Sequence, residues 1–243
     1  MLYLVISDVH ANLEALEAVL GDAGEYDAVL CLGDLVGYGP NPNECVQRVR
    51  GLPNLTSLVG NHDLAALGEL DLSDFNPYAR DSAEWTMRNL ESDARDFLLS
   101  LPRSGPVSGF YTAHASPRDP VWEYMEVEEQ GPPNFRLFDE PICLVGHTHV
   151  PRVFLETTPS RSSVAVCHAD DVLQLNDGIR KIINPGSVGQ PRDGDPRAAY
   201  ALLDTDSNRF EFRRVRYSFP VTQAKITRIG LPAVLARRLS HGM

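Results

Sequence analysis

Polar residues of metal-ligand type follow short apolar runs at five places in the chain. Aspartate, asparagine and histidine recur at these places, and five of the seven histidines lie there. Ligands bind at the carboxyl ends of strands in open α/β sheets, so we expect these side chains to converge on one crevice. The five motifs are Asp8-Val9-His10, Gly33-Asp34, Gly60-Asn61-His62-Asp63, His114 and Gly146-His147-Thr148-His149.

Each motif alone is a weak signal, because an Asp after a strand often caps a helix and Gly-Asp is a common turn. Five such junctions in order favour a metal site over separate caps and turns. Imidazole together with carboxylate suits Mn²⁺, Fe, Zn²⁺, Co²⁺ or Ni²⁺, whereas Ca²⁺ and Mg²⁺ prefer oxygen ligands. The ligand set is too large for one open catalytic ion and fits two ions that share a carboxylate.

Apolar runs and amphipathic segments alternate in the N-terminal part and predict a mixed or parallel sheet with helices on its faces. Asn12 can cap a helix that Gly21 ends, and Pro42 begins a second helix. Residues 64–103 have apolar residues at helical spacing, interrupted by Pro77, and predict a helical insertion within a single domain of residues 1–243. Strands are predicted at 2–6, 28–32, 55–59, 110–113, 142–145, 164–166, 181–183, 199–203 and 210–216, and a terminal helix at 233–239.

The chain is acidic, with 22 Lys and Arg against 33 Asp and Glu, a net charge of −11. This charge disfavours stable binding to nucleic acid and to anionic membranes, and it suits a site that attracts divalent cations. The four cysteines show no metal-binding or disulfide spacing. No signal peptide and no long apolar stretch are evident, so we expect a cytoplasmic protein with reduced thiols.

The order of the five motifs resembles the calcineurin-like metallophosphoesterase superfamily over residues 1–200. The resemblance implies an α+β fold, a four-layer αββα sandwich of two mixed β-sheets flanked by helices. It also implies a phosphoesterase with two divalent metal ions per chain and a metal-bridging hydroxide as the nucleophile. We expect Mn²⁺ as the metal, with Fe, Zn²⁺, Co²⁺ or Ni²⁺ as alternatives.

The resemblance assigns a role to each residue of the motifs. His62 is implied to stabilise the transition state or to protonate the leaving oxygen, with Asp63 as the residue that orients it. Asp34 is implied to bridge the two ions. The remaining ligands are implied to be Asp8, His10 and His149 for the first ion, and Asn61, His114 and His147 for the second.

The residues around Asp34 distinguish branches of the superfamily. Protein Ser/Thr phosphatases and symmetrical diadenosine tetraphosphatases have an arginine where this chain has Tyr38, and another where it has Val59. The absence of both phosphate-binding arginines weakens a phosphomonoesterase interpretation. The Asp-Val-His-Ala-Asn opening and the Gly-His-Thr-His motif look more like the small bacterial and archaeal phosphodiesterase group. We therefore expect a phosphodiesterase that hydrolyses a small nucleotide-type phosphoester.

Tyr38, Arg192 and Arg197 are the candidate substrate contacts. The two arginines follow a glycine-rich segment, residues 184–190, that otherwise predicts a strand-ending turn. The pair Arg237 and Arg238 is expected on a solvated helix face. Two other functions stay open: a dinucleoside polyphosphate or protein Ser/Thr phosphatase, and a non-catalytic protein-binding scaffold of the same fold. The retained His62 argues against a scaffold.

Overall fold

The computed structural model describes residues 1–243, and its twelve strands form two mixed sheets of six strands each. The first sheet has the strand order β3-β2-β1-β11-β12-β9 and the second β4-β5-β6-β10-β7-β8. The strands are β1 (Leu2–Ile6), β2 (Ala28–Cys31), β3 (Leu55–Ser57), β4 (Ser104–Val107), β5 (Phe110–Ala113), β6 (Ile142–Leu144), β7 (Arg152–Thr158), β8 (Arg161–Val166), β9 (Val172–Gln174), β10 (Lys181–Asn184), β11 (Ala198–Asp204) and β12 (Arg209–Val215).

Each sheet contains three neighbouring parallel strands, β1 to β3 in the first and β5, β6 and β10 in the second. All other neighbouring strands run antiparallel. Each of the five polar motifs follows one of the parallel strands β1, β2, β3, β5 and β6. The topology therefore places all five motifs at the carboxyl ends of parallel strands.

The two faces of β1 show how the layers pack. Tyr3 and Val5 belong to an apolar cluster that also contains Leu144 and Ile183 of the second sheet. The alternate residues, such as Leu4, belong to a cluster shared with helices on the outer side. Successive side chains of a strand point to opposite faces, so one short apolar run fills both layers of the core.

Eight α-helices accompany the sheets. Helices α1, α2 and α5 contribute to the cluster outside the first sheet, and α6 contributes Phe135 to a cluster on the second. The predicted fold class, an α+β sandwich of two mixed sheets with helices outside, is confirmed. The helices are α1 (Leu13–Asp22), α2 (Pro42–Arg50), α3 (Asn61–Leu67), α4 (Pro77–Asn89), α5 (Ser92–Leu99), α6 (Gly131–Phe135), α7 (Phe219–Arg228) and α8 (Ala233–Leu239).

One predicted helix boundary is wrong, and the predicted interruption at Pro77 is present. Helix α1 is capped by Asn12 as predicted, but it continues through Gly21, and the left-handed residue that follows its end is Gly24, with φ 73°. Pro77 interrupts the helical segment as predicted, because it begins the separate helix α4, where Asn76 caps the first turn. A proline fits the first turn of a helix because the N–H that it lacks has no partner there.

Residues 64–103 contain α4, α5 and most of α3, so the predicted helical segment is present, whereas its status as an insertion within one domain stays a prediction. The sequence prediction omitted β4, β7, β9, α6 and α7. No helix in the structure has both the length and the apolar composition that crossing a membrane requires.

Candidate metal centre

Two groups of buried ligand-type side chains meet at the strand ends. The first contains Asp8, His10, Asp34 and His149, and the second contains Asp34, His114 and His147. Within each group the candidate ligand atoms lie within 4.8 Å of one another. Asp34 belongs to both groups, so its carboxylate is the point where they join.

The first group is tightly spaced. His10 Nε2 and His149 Nε2 lie 3.0 Å apart, and His149 Nε2 lies 3.3 Å from Asp8 Oδ1. His10 Nε2 is also 3.6 Å from Asp34 Oδ2. One cation of ordinary size could contact all of these atoms.

The second group lies on the other side of Asp34. His114 Nε2 is 3.4 Å from Asp34 Oδ2 and 3.2 Å from the amide oxygen Oδ1 of Asn61. The rings of His114 and His147 have centroids 5.2 Å apart. The structure therefore brings together all seven residues that the sequence nominates as ligands.

Backbone carbonyls orient three of the imidazole rings. His10 Nδ1 donates to Val36 O over 3.1 Å, and His114 Nδ1 donates to Leu32 O over 2.8 Å. His149 Nδ1 donates to the Gln190 carbonyl over 2.6 Å. Because Nδ1 carries a proton in each bond, the neutral form of each ring presents the Nε2 lone pair to the cluster, the arrangement usual for metal-bound histidine.

Three atoms of the cluster are buried without a hydrogen-bond partner: Asp8 Oδ1, Asp34 Oδ2 and His147 Nε2. Burial of an unpaired carboxylate oxygen costs free energy that a directly bound cation would offset. Imidazole nitrogens with carboxylate and amide oxygens are a donor set that suits divalent transition metals. The residues present thus fit a divalent metal centre.

The backbone at the cluster is strained. Asp8, His10, Asp34, His147 and His149 all have left-handed φ values, between 49° and 66°. Such conformations cost about 1–3 kcal/mol each and persist where the surrounding structure holds them, which is common at functional sites. Five strained ligand candidates in one cluster indicate that the fold maintains this geometry at the expense of stability.

Neighbouring charges and burial set the protonation of the cluster. Burial opposes ionisation of Asp34, but the adjacent imidazoles, His114 first, hold the pKa of that carboxyl well below its usual value. Burial lowers the pKa of His10 and, aided by the charge of His114, lowers the pKa of His147 to about 3. Burial also opposes protonation of His114, but Asp34 outweighs it and the pKa of His114 rises to about 9. Metal binding at His114 would therefore release a proton.

His62 lies beside the cluster in an aromatic environment. Its ring centroid is 4.3 Å from that of Tyr38, 5.0 Å from that of His10 and 5.2 Å from that of Phe75. His62 N donates to Asp34 Oδ1 over 2.8 Å, and His62 Nδ1 is buried with no hydrogen-bond partner. Burial lowers the pKa of His62 to about 4.

Asp63 makes no hydrogen bond with the His62 ring, so the structure gives no support to the prediction that it orients this histidine. Its Oδ1 accepts from Val36 N and its Oδ2 accepts from Gly60 N, both over 2.9 Å. The first bond connects α3 to the loop after β2, and the second lies within the start of α3. Burial, together with the charge of Asp34, raises the pKa of Asp63 to about 7. The carboxyl group is thus a structural connection between two ligand-bearing loops.

Of the three candidate substrate contacts, two lie beside the cluster and one does not. Tyr38 is buried with its ring centroid 4.8 Å from that of His10, and Arg192 Nη2 lies 3.4 Å from the Tyr38 hydroxyl. Arg197 instead pairs with Asp195, with Nη2 and Oδ2 2.6 Å apart. It contacts none of the cluster residues, so the structure does not place it in the site, contrary to the expectation.

Two residues near the cluster were not nominated from the sequence. The Tyr124 ring centroid lies 4.2 Å from that of His147, and Arg238 Cζ lies 5.8 Å from the Tyr38 ring. Tyr124 stands in an irregular segment without a periodic signal. Arg238 is half-buried, so only Arg237 of that pair is solvated. Its position three residues after buried Leu235 is the helical spacing that could have revealed it.

The segment at residues 184–192 forms hydrogen bonds with the loop that follows β1. Gly189 N donates to Asp8 O over 2.9 Å, and Ser187 Oγ donates to the same carbonyl over 2.8 Å. Asn184 Nδ2 donates to Gly146 O over 2.6 Å. The segment is therefore the predicted turn after a strand, and it also holds two ligand loops in place.

Comparison with known proteins identifies the family. The calcineurin-like phosphoesterase superfamily domain matches residues 1–208. An uncharacterised protein of Methanocaldococcus jannaschii is 39% identical over 245 residues, covering 98% of this chain and 97% of its own. A metallophosphoesterase from Sphaerobacter thermophilus is 48% identical with a TM-score of 0.92, covering 100% of this chain and 99% of its own. A hypothetical protein from Pyrococcus horikoshii shares the fold at 20% identity, with a TM-score of 0.79 and coverage of 100% and 98%.

These likenesses extend over the buried Asp and His cluster and the two mixed sheets that position it. The chain belongs to the calcineurin-like phosphoesterase superfamily and is a phosphoric ester hydrolase.

Proposed function

We propose that the protein is a phosphodiesterase that cleaves a small nucleotide-type phosphoester at two divalent metal ions. The position of Asp34 carries this proposal, because its Oδ2 lies 3.6 Å from His10 Nε2 on one side and 3.4 Å from His114 Nε2 on the other. A carboxylate shared between two groups of ligands suits a site for two closely spaced ions.

In this proposal each ligand group would hold one ion, and Asp34 belongs to both groups. The ions, when bound, supply an activated water and positive charge at the phosphate. Mn²⁺ is the metal we favour, and Fe, Zn²⁺, Co²⁺ and Ni²⁺ suit the same donors. The ligands are Asp8, His10 and His149 for the first ion and Asn61, His114 and His147 for the second.

His62 acts on the leaving oxygen in this proposal. It adjoins the ligand Asn61, and its ring carries a buried nitrogen that no protein group satisfies. Because burial disfavours the imidazolium form, the ring would act as a hydrogen-bond donor that stabilises the developing charge on the leaving oxygen. Tyr38 and Phe75 hold the ring on two sides and restrict its rotation.

The surroundings of the site favour a diester over a monoester. Tyr38 presents an aromatic ring where related monoesterases place an arginine, and a dianionic phosphate gains more from a guanidinium than a monoanionic diester does. Tyr124, which is 44% exposed, lies against His147 and offers an aromatic surface to a nucleobase. The net charge of −11 opposes binding of a long polyanion and supports a small substrate.

The test uses protein that has been stripped of metal and reloaded with one metal at a time. Bis(p-nitrophenyl) phosphate, p-nitrophenyl phosphate and diadenosine tetraphosphate are the substrates, and the Asp34→Asn variant is the control for contaminating phosphatases. We expect turnover of the diester, greatest with Mn²⁺. Turnover of the monoester alone would contradict the proposal. Hydrolysis of the dinucleotide in preference to the simple diester would favour a dinucleoside polyphosphatase.

A further inference from the structure

Two arginines converge beside the metal centre and share one neutral partner. Arg192 Nη2 donates to Gln190 Oε1 over 3.0 Å, and Arg238 Nη1 donates to the same oxygen over 3.1 Å. Their Cζ atoms lie 5.7 Å and 5.8 Å from the centre of the Tyr38 ring. Two positive groups thus lie around one amide oxygen and one aromatic ring.

Neither of these arginines has a carboxylate partner, which sets them apart from other arginines nearby. Asp193, adjacent to Arg192 in sequence, pairs with Arg214 instead, and Arg197 pairs with Asp195. The Nε atoms of Arg192 and Arg238 are both buried without a hydrogen-bond partner. Like charges held close together in a partly buried place repel each other, so a bound anion would be stabilised there.

The pair borders the metal centre without occupying it. Tyr38, which both guanidinium groups approach, also packs on His10 and His62. The Arg192 backbone N–H donates to His149 O over 3.3 Å, so the backbone of Arg192 is fixed to a loop that carries a ligand. Neither guanidinium hydrogen-bonds to a ligand side chain. The pair is therefore placed to bind a group next to the reacting phosphate.

The second arginine comes from a part of the chain beyond the matched family domain, which ends at residue 208. Helix α8, which carries Arg238, is bonded to α7 through Gln223 Nε2 and Ala236 O, 2.9 Å apart. Helix α7 in turn reaches the first ligand loop, where Thr222 Oγ1 donates to Asn12 Oδ1 over 3.0 Å. The C-terminal helices are thus fixed to the metal centre, and the position of Arg238 is set by packing.

We propose that Arg192 and Arg238 form an anion subsite that binds a second phosphate of the substrate, beside the phosphate that is cleaved. This inference rests on the proposed function and narrows its substrate class to phosphodiesters that carry an additional phosphate. Guanidinium groups suit this role because they donate in a planar fork that matches phosphate oxygens.

The first test compares two substrates that differ only in the second phosphate: the p-nitrophenyl ester of thymidine 5′-phosphate and the same compound with a 3′-phosphate. We expect wild type to prefer the second compound in kcat/KM. Arg238→Gln and Arg192→Gln should each reduce that preference about tenfold, the usual effect of losing a charge-assisted hydrogen bond. Arg237→Gln, an exposed neighbour, and Arg197→Gln, which pairs with Asp195, should retain it. If both test variants keep the wild-type preference, even with kcat/KM lowered equally for the two substrates, the proposal is overturned.

The second test is independent of turnover. Inorganic pyrophosphate is titrated calorimetrically into the full chain after chelation of metals, and the thermal unfolding of each variant verifies its folding. Arg238→Gln and Arg192→Gln should weaken binding about tenfold, whereas Arg237→Gln should not. If pyrophosphate binding depends on the two arginines but the protein has no diesterase activity, the proposed function is refuted and the anion subsite is retained. If the protein has diesterase activity and neither substitution changes pyrophosphate binding, only the proposed anion subsite is refuted.

Discussion

The backbone of Gly60 lies directly against the carboxylate of Asp34. A Cβ atom at position 60 would stand 2.1 Å from Asp34 Oδ1 and 2.6 Å from Asp34 N. The φ of Gly60 is −100°, which any residue adopts, so glycine is required here by the close approach and not by the backbone conformation. The loop after β3 therefore packs closely against Asp34, the residue that belongs to both ligand groups.

Gly60→Ala should therefore displace Asp34 and weaken both metal sites. We expect a loss of about 1–3 kcal/mol in the free energy of unfolding, as for other overpacked positions. Denaturant unfolding and metal analysis measure the two effects. Gly21→Ala is the matched control, because a Cβ at Gly21 meets nothing within 4 Å and alanine in a helix is stabilising. Wild-type metal content in Gly60→Ala would contradict the expected displacement.

Asp34→Asn should weaken both ions, since it removes the only negative charge that the two ligand groups share. Substitution of groups that merely support a ligand costs 10–100-fold in affinity, so we expect a loss of more than about 100-fold here. Elemental analysis after dialysis provides the measurement. Retention of two tightly held ions would show that Asp34 does not bridge them.

His62→Ala should lower kcat by about 10²–10⁴-fold with both metals retained, because the ring contacts the ligands without being one of them. The loss should be smaller with 4-nitrophenol as the leaving group, since this phenolate needs little stabilisation. Steady-state kinetics with leaving groups of different acidity test this dependence. Loss of an ion from the variant would instead identify His62 as a ligand.

Asp63→Asn should destabilise the fold more than it affects the chemistry. The carboxylate accepts from Val36 N and Gly60 N, and an amide can accept only through its single oxygen. One buried N–H is then left unpaired, at a cost of about 1–3 kcal/mol in unfolding free energy. Chemical denaturation with saturating metal measures this cost. If kcat falls as far as in His62→Ala while stability is unchanged, the structural assignment of Asp63 is refuted.

Removal of metal by a chelator should lower the melting temperature. Each ion whose free concentration is 100 times its Kd stabilises the folded state by about 2.7 kcal/mol. The two proposed ions together therefore give about 5 kcal/mol, which corresponds to about 10–20 °C for a chain of this size. Calorimetric scans with Mn²⁺ and with chelator give the difference. Asp34→Asn should show a smaller difference, and an equal one would place the stabilising ions elsewhere.

The sequence alone was enough to nominate the ligand set and, through the family resemblance, to predict the fold class that the structure confirms. His114 directly follows β5, and Asp8 and Asp34 lie within three residues of the ends of β1 and β2, so these residues have little freedom in where they emerge from the sheet. Local signals also located the Asn12 cap and the helical segment around α4 and α5. These features depend on residues close together in the chain.

The positions of long side chains and of the weakly patterned elements were decided only by the tertiary structure. Arg197 follows the same turn as Arg192 but pairs with Asp195, whereas Arg238 reaches Tyr38 from the far end of the chain. Strand β9 is mostly exposed, so its residues carry no alternating apolar pattern. Asp63 accepts from Val36 N, which lies in the loop after β2 and comes within reach only in the folded protein. The contacts of Arg238 with Tyr38 and of Asp63 with Val36 join distant segments, and packing, which no local spacing encodes, decides them.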